Sequence, residues 1–311
     1  MNIYLIGNLT LDIIVNPLNG IPAWGTEIFV KNIIHRAGGN LSNLAFAIKK
    51  IGLDPIIIGN TGDDKNGEYI LKTLKDSGIN ISQVKKEKKA STSITIALVR
   101  HDGERVFITK PGQLNYVDDK FIYNGIENIK NNSIVMLCSL FQFPNLKLKS
   151  LVGIFEILKK KKCIILMDPG WDTKGWSKET ISGIRQLLKF VDYFIPNEDE
   201  AKVIANNDKE IEVLKSFKKY GAGNIIIKRG PKGAIALLNN KIIESEAYKT
   251  TCIDATGAGD AFNAAIIYCI AKKISYFKML KIANATAAFV VSKLKNRYPT
   301  IKDINMILKS N

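Results

Sequence analysis

Short apolar runs and helical patterns alternate along most of the chain. Ile3 to Gly7, Pro55 to Gly59, Ile134 to Cys138, Cys163 to Asp168, Tyr193 to Pro196 and Asn224 to Lys228 are apolar through their centres, which predicts short strands buried on both faces. Between them, Asn40 to Ile51, Gly67 to Asp76, Leu148 to Lys160, Ile181 to Phe190 and Glu210 to Tyr220 repeat apolar residues at helical spacing. Strand, helix and strand in that order predict a parallel sheet covered by helices on both faces, with ligands beyond the carboxyl ends of its strands. Two segments break the rhythm. Glu27 to Ile34, and the pair Ser93 to Val99 and Val106 to Thr109 joined around Asp102-Gly103, read as antiparallel strands. They form either a small second sheet that covers the site as a lid or two unrelated surface hairpins. A further hairpin, Ala234 to Leu238 turning at Asn239-Asn240 into Ile242 to Glu244, precedes a helical C-terminal part. No internal repeat or low-complexity linker interrupts the pattern.

Composition adds exclusions. At 311 residues the chain is long enough to bury a sizeable core without disulfides or metals. No apolar run reaches the roughly 18 residues of a membrane span, and Met1-Asn2 leads straight into Ile-Tyr-Leu-Ile with no secretory signal pattern, so a cytoplasmic location and no membrane partner are expected. Cys138, Cys163, Cys252 and Cys269 lie far apart and mostly inside apolar stretches, which fits buried thiols and not a metal site or disulfide framework. His35 and His101, the only histidines, are too few for a histidine-rich metal site and are read as surface or lid residues. The formal charge of +16 is spread as lysine pairs without interleaved aromatics, which describes solvated surface and no nucleic-acid groove. Such a field still raises the arrival rate of an anionic ligand.

The densest chemistry is Asp254-Ala255-Thr256-Gly257-Ala258-Gly259-Asp260, running into Ala261-Phe262-Asn263-Ala264-Ala265 at helical spacing. Small residues before a helix let backbone N–H groups converge, and the helix N-terminus makes that point positive. Such a turn suits the charge that builds on a phosphoryl group in transfer. Asp260 then has two readings. It is a dipole partner or cap of the helix, or it takes a proton from an attacking hydroxyl beside the anion nest. In Gly38-Gly39-Asn40-Leu41-Ser42-Asn43 the paired glycines permit close approach of a ligand, and Asn43 is either a helix-start asparagine or a donor and acceptor for a polyol. Asp12 is either a turn aspartate or an acceptor for two neighbouring hydroxyls. The phosphate-loop and dinucleotide glycine patterns are both absent.

Together these segments resemble the ribokinase-like, or PfkB, family of carbohydrate kinases over nearly the whole chain. Asp254 to Asp260 matches the family's C-terminal signature with Ala255 in place of the usual threonine. Gly38, Gly39 and Asn43 match its N-terminal signature, Asn197-Glu198-Asp199-Glu200 its Asn-x-x-Glu motif, and Arg229 to Gly233 its nucleotide loop. The resemblance implies a three-layer α/β/α sandwich with a mostly parallel central sheet and a small β-sheet lid. It implies a single domain over residues 1–311, with lid strands inserted at about 27–34 and 92–110. It makes Asp260 the catalytic base and Gly257, Ala258 and Gly259 the anion hole, while Asp12, Gly38, Gly39 and Asn43 hold the acceptor. Asn197, Lys228, Gly230, Gly233 and Asn284 would lie along ATP, with Glu200 holding Mg²⁺ through water. Asp254 and Thr256 match part of the family's monovalent-cation site, but Ser292-Lys293-Leu294-Lys295-Asn296 does not clearly match the rest, so K⁺ stays an open option. The implied reaction is phosphorylation of a primary hydroxyl of a neutral sugar or a nucleoside by a homodimer joined through the lid. The alternative class is a non-catalytic sugar- or nucleotide-binding regulator.

Overall fold

The structure is a computed structural model that describes residues 1–101 and 105–309. Strands β1 (Ile3–Ile6), β2 (Thr10–Leu18) and β3 (Asn32–Gly38) lead into helix α1 (Gly39–Lys50), and β4 (Pro55–Gly62), α2 (Lys65–Asp76) and β5 (Asn80–Glu87) follow. Next come β6 (Ile94–Arg100), β7 (Arg105–Lys110), α3 (Asp119–Glu127), β8 (Ile134–Cys138), α4 (Leu151–Lys160), β9 (Ile164–Asp168), α5 (Lys178–Leu187) and β10 (Tyr193–Phe194). The remainder holds α6 (Glu198–Ala205), α7 (Glu210–Lys219), β11 (Asn224–Lys228), β12 (Ala234–Leu238), β13 (Lys241–Ser245), α8 (Ala258–Ala271), α9 (Tyr276–Val291) and α10 (Ile301–Lys309).

The central sheet runs β13-β12-β11-β10-β9-β8-β1-β4-β5, parallel from β11 through β5 and antiparallel at β12 and β13. Its inner strands β1, β8, β9, β10 and β11 are apolar through their centres because both faces are covered. In β1, Ile3 and Leu5 pack into the core beneath α1, α8 and α9, whereas Tyr4 and Ile6 enter the opposite core with residues of α3, α4 and α5. The alternation expected of a strand is therefore present, divided between two apolar layers instead of between core and water. At the β12–β13 turn, Asn239 and Asn240 both take positive φ, 48° and 61°, as an asparagine pair in a tight hairpin does.

The expected lid is one four-stranded sheet, β3-β2-β6-β7. Its composition differs from the sequence reading in two ways. The first lid strand is Asn32–Gly38 and not residues 27–34, since β3 pairs with β2 from Gly38 opposite Thr10 to Asn32 opposite Asn16, where Pro17 brings no N–H to extend the ladder. Residues 27–31 find no partner strand, and Phe29 is 95% exposed. The second difference is β2, whose Asp12, Asn16 and Pro17 hide its apolar alternation; it is the central strand that joins the two expected hairpins into one sheet. The turn at Asp102-Gly103 lies outside the described residues. Cys138, Cys163 and Cys269 are buried as expected, but Cys252 is exposed, because it sits in the loop after β13 and not in an element.

The first βα junction aims the site. Gly39 takes φ +79°, and a Cβ there would stand 2.3 Å from the Asn8 carbonyl oxygen, so the chain can turn from β3 into α1 only where no side chain exists. Gly39→Ala therefore carries both the positive-φ penalty and a backbone clash; urea denaturation should show a loss of about 2–4 kcal/mol.

Candidate active site

The expected functional residues collect beyond the carboxyl ends of β1, β8, β9, β10 and β11, where the open α/β sheet presents its crevice. Asp260 lies in the first turn of α8 and is 5% exposed. Its two carboxylate oxygens accept from Asn40 Nδ2 at 2.8 Å and Asn43 Nδ2 at 3.0 Å, both on α1. Burial pushes the Asp260 carboxyl up to about 7, against the opposing effect of those two amides; the charge of Asp168 adds to the rise.

One cavity, about 790 Å³, runs from Asp260 to the lid and is walled by Asn8, Asp12, Asn43, Phe107, Trp171 and Thr173. Here Asp12, on β2, accepts from Thr10 Oγ1 at 2.7 Å and lies 4.0 Å from Arg36 Nε. Burial raises its carboxyl above the ordinary value. Gly38 is needed beside it, because a Cβ at that position would fall 2.0 Å from the Asp12 carboxylate. Asn43 is fixed by two partners, donating to Asp260 and accepting from Tyr298 Oη at 2.8 Å. The acceptor-side residues read from sequence are thus brought together, on three different elements.

A second cavity, about 470 Å³, shares Asn40, Gly257 and Asp260 with the first and continues past Ala258 and Gly259 to Lys228 and Glu200. Gly257 begins α8 with φ +78°, which leaves the backbone of the next residues at the positive end of the helix. Lys228 is ion-paired to Asp168, which also accepts from Asn263 Nδ2 at 2.6 Å. Burial alone would lower the Lys228 ammonium, but Asp168 and Glu200 outweigh it and hold the lysine charged. Burial, helped by the charge of Asp168, raises the Glu200 carboxyl. Asn197 and Glu200 are tied to each other in a capping box at the start of α6: the Asn197 N–H donates to Glu200 Oε2 at 2.9 Å, and Glu200 N–H to Asn197 Oδ1 at 2.8 Å. That leaves one Glu200 oxygen free beside the Asp168 carboxylate. Among the described residues no group of three or more His, Cys, Asp and Glu gathers as a metal cage. The donors fit an ion such as Mg²⁺ that keeps its waters and takes phosphate oxygens.

A third cavity, about 440 Å³, opens from Gly230 and Ala258 and is lined by Tyr248, Asn284 and Val291. Its size and apolar walls suit a planar ring. Asn284 lines it, but its amide is spent on the carbonyl oxygens of Ser245 and Glu246, at 2.9 and 3.0 Å. Gly233 lines none of these cavities; its φ of +85° and a Cβ position 2.1 Å from the Ser245 oxygen show a glycine that lets the loop close on β13.

Asp254 and Thr256 form no open cage. The Asp254 carboxylate takes Arg297 Nη1, and Arg36 Nη1 at 3.3 Å, while Arg297 Nη2 donates to the backbone oxygens of Asp254 at 2.9 Å and Thr256 at 2.5 Å. Burial would raise the Asp254 carboxyl, but Arg297 and Arg36 together hold it below the ordinary value.

Sequence reasoning passed over several residues that the fold brings here. Asn40 stood inside the quoted Gly-Gly motif without a role. Arg297 and Tyr298 follow a non-periodic stretch and carried no local signal. Arg105, on β7, lines both the cleft and the lid-side cavity.

Comparison with known proteins bears on the family and the fold. Over 308 residues the chain is 24% identical to a ribokinase of Lactococcus lactis, covering 98% of this chain and 96% of the relative. A candidate ribokinase II of E. coli, crystallised with ATP and Mg²⁺, superposes with a TM-score of 0.85 at 19% identity, covering 100% and 99% of the two chains. A Vibrio cholerae fructokinase variant bound to fructose, ADP and potassium gives 0.81 at 18% identity, covering 99% and 98%. A nucleoside kinase of Methanocaldococcus jannaschii gives 0.78 at 23% identity, covering 100% and 99%. The model of the pfkB family carbohydrate kinases matches residues 5–303, so the chain belongs to that family and has the ribokinase-like fold.

Proposed function

We propose that this protein transfers the γ-phosphoryl group of ATP to a primary hydroxyl of a sugar, or of the ribosyl part of a nucleoside. The observation that carries this reading is the placement of Asp260. Its buried carboxylate stands in the wall shared by the anion cleft and the lid-side cavity, at the start of the helix that offers positive potential to the cleft.

In this reading the acceptor lies against Asp12, Gly38, Gly39 and Asn43, with Asp12 and Asn43 holding neighbouring hydroxyls. Triphosphate follows Lys228, Gly230 and Asn197 to the turn 257–259, and the base lies beside Asn284. Gly233 serves the nucleotide through the shape of its loop. Asp260 orients the acceptor hydroxyl and takes its proton as that oxygen attacks phosphorus in line; the bridging oxygen leaves with its electron pair on ADP. The backbone N–H groups of Gly257, Ala258 and Gly259 meet the charge that spreads over the transferring group. Mg²⁺ bound with the nucleotide would neutralise the polyphosphate, and Glu200 would hold it through water. Phe107 and Trp171 bring apolar surface over the acceptor cavity and exclude water from the reaction.

Two further proposals complete the reading. Placed in the cytoplasm, the protein meets ATP there, and no described helix is long and apolar enough to cross a membrane. It pairs as a homodimer through the lid, whose face away from the cavity exposes Ile33, Val106 and Ile108 at 60%, 48% and 56%.

Three outcomes are expected. Coupled ADP-release assays over a panel of sugars and nucleosides should find turnover, and Asp260→Asn should lower kcat by roughly 10²–10⁴-fold while ATP affinity changes little; saturable binding of acceptor and ATP with no turnover would favour the regulator reading. Because Asp260 acts ionised and its carboxyl sits near 7, kcat/KM should fall roughly tenfold for each pH unit below that value and level off above it. A flat profile from pH 5.5 to 8 would contradict the base assignment. Light scattering should give twice the chain mass, and the double variant Val106→Asp with Ile108→Asp should give the monomer.

A further inference from the structure

Asp254 and Thr256 are the residues through which the family resemblance implies a monovalent cation, and a fold relative was crystallised with potassium. The present donors do not fit such an ion. Three oxygens of the loop before α8 converge on one point: a carboxylate oxygen of Asp254 and the backbone oxygens of Asp254 and Thr256. That point is filled by the guanidinium of Arg297, whose Nη1 and Nη2 take all three. Arg297 is 7% exposed and Asp254 2%, so neither group relies on water. The second guanidinium at Asp254, that of Arg36, adds another positive charge. A metal cation seated on the same oxygens would stand in the place of the Arg297 guanidinium and beside that of Arg36, both of which repel it, while Asp12, 4.0 Å from Arg36, is the one further carboxylate joined to the cluster by an ion pair.

We propose that Arg297 is a tethered cation that takes the place of a monovalent metal ion, shaping the loop 254–256 so that activity is independent of K⁺. The inference rests on the reading of 257–259 as the phosphate cradle. Thr256, whose carbonyl Arg297 holds, precedes Gly257, and the Thr256 N–H donates back to Asp254 Oδ1 at 2.8 Å, closing a tight turn. Arg297 therefore acts on the backbone that presents the cradle and does not touch the substrate; it is a positioning residue. Arg36 extends the same unit to the lid, since it lies on β3 between Asp254 and Asp12. An arginine suits the task because its planar fork reaches a carboxylate and two carbonyls at fixed spacing, and it cannot lose its proton.

The test compares the full-length protein in potassium, sodium and tetramethylammonium salts at equal ionic strength, with ATP, Mg²⁺ and the acceptor found by the panel. The expected result is a kcat within about twofold across the three salts for the wild type. Arg297→Met should lose roughly 10-fold or more in tetramethylammonium and recover part of that loss in potassium, and Arg297→Lys should keep more activity than Arg297→Met. A readout without turnover is thallium(I) soaked into crystals: anomalous scattering should show no thallium at Asp254 in the wild type. Potassium stimulation of the wild type by about tenfold, or thallium bound on the Asp254 and Thr256 oxygens, would overturn the proposal. Failure of every acceptor to turn over in any salt would overturn the kinase reading, and the thallium result would still decide the role of Arg297.

Discussion

One buried carboxylate sets the demands that the surrounding structure meets. Asp260 is largely withdrawn from water, in the wall shared by two cavities, and at a helix start that favours negative charge. Burial raises its proton affinity, and the amides of Asn40 and Asn43 lower it; the balance leaves the group near 7. A less buried carboxylate would stay a weak base of ordinary strength, and one without the two amides would keep its proton more tightly. The two asparagines come from α1 while the carboxylate comes from α8, so the balance depends on the packing of these helices against each other. The wall of small and apolar residues along α8, including Ala261, Ala264 and Ala265, is what allows that approach.

The lid belongs to the same constraint. Its central strand β2 starts only a few residues after β1, so Asp12 is held at a short chain distance from Asn8, whose side-chain oxygen accepts from the Asn40 N–H at 3.2 Å. β3 returns from the lid directly into α1 through Gly38 and Gly39. Asp12 on the lid and the amides on α1 are therefore two ends of one turn, and a movement of β2 and β3 reaches the residues that hold Asp260 without an intermediary. Arg36 makes a second connection, from the lid to the loop before α8.

Much of this was legible along the chain because buried parallel strands and tight glycine turns leave local marks. The inner strands of the central sheet show as apolar runs, and the turn into α1 shows because only glycine tolerates Gly39 against Asn8 and Gly38 against Asp12. What stayed hidden depends on distant partners. The strand β2 is interrupted in pattern by Asp12, Asn16 and Pro17, whose polarity serves the cavity and the ladder end instead of the core. The strand β5 carries Lys85 and Lys86 at the open edge of the sheet, where charge discourages pairing and also masks periodicity. Arg297 and Tyr298 act across 43 and 255 residues of sequence, so no local spacing could announce them. Asn197-x-x-Glu200 was legible only through the family resemblance; the capping box that ties the two residues together emerged with the structure.

The electrostatics of the cleft give the proposed reaction its order. The chain carries +16 overall, but the two cavities are walled by Asp12, Asp168, Glu200 and Asp260 with Lys228 and Arg105, and Arg36 links Asp12 to the Asp254–Arg297 pair. A basic exterior draws a polyphosphate in, and an acidic interior would then repel it. Three features relieve that conflict. Asp254 is already neutralised by two guanidinium groups, Asp168 is already paired with Lys228, and burial raises the carboxyls of Glu200, Asp260 and Asp12. A divalent ion arriving with the nucleotide would discharge the Glu200 side of the cleft and leave Asp260 to respond to the acceptor hydroxyl alone. On this reading the polyphosphate end and the proton-transfer end are separable in charge although they share one wall, and the separation comes from which carboxylates have cation partners and which are merely buried.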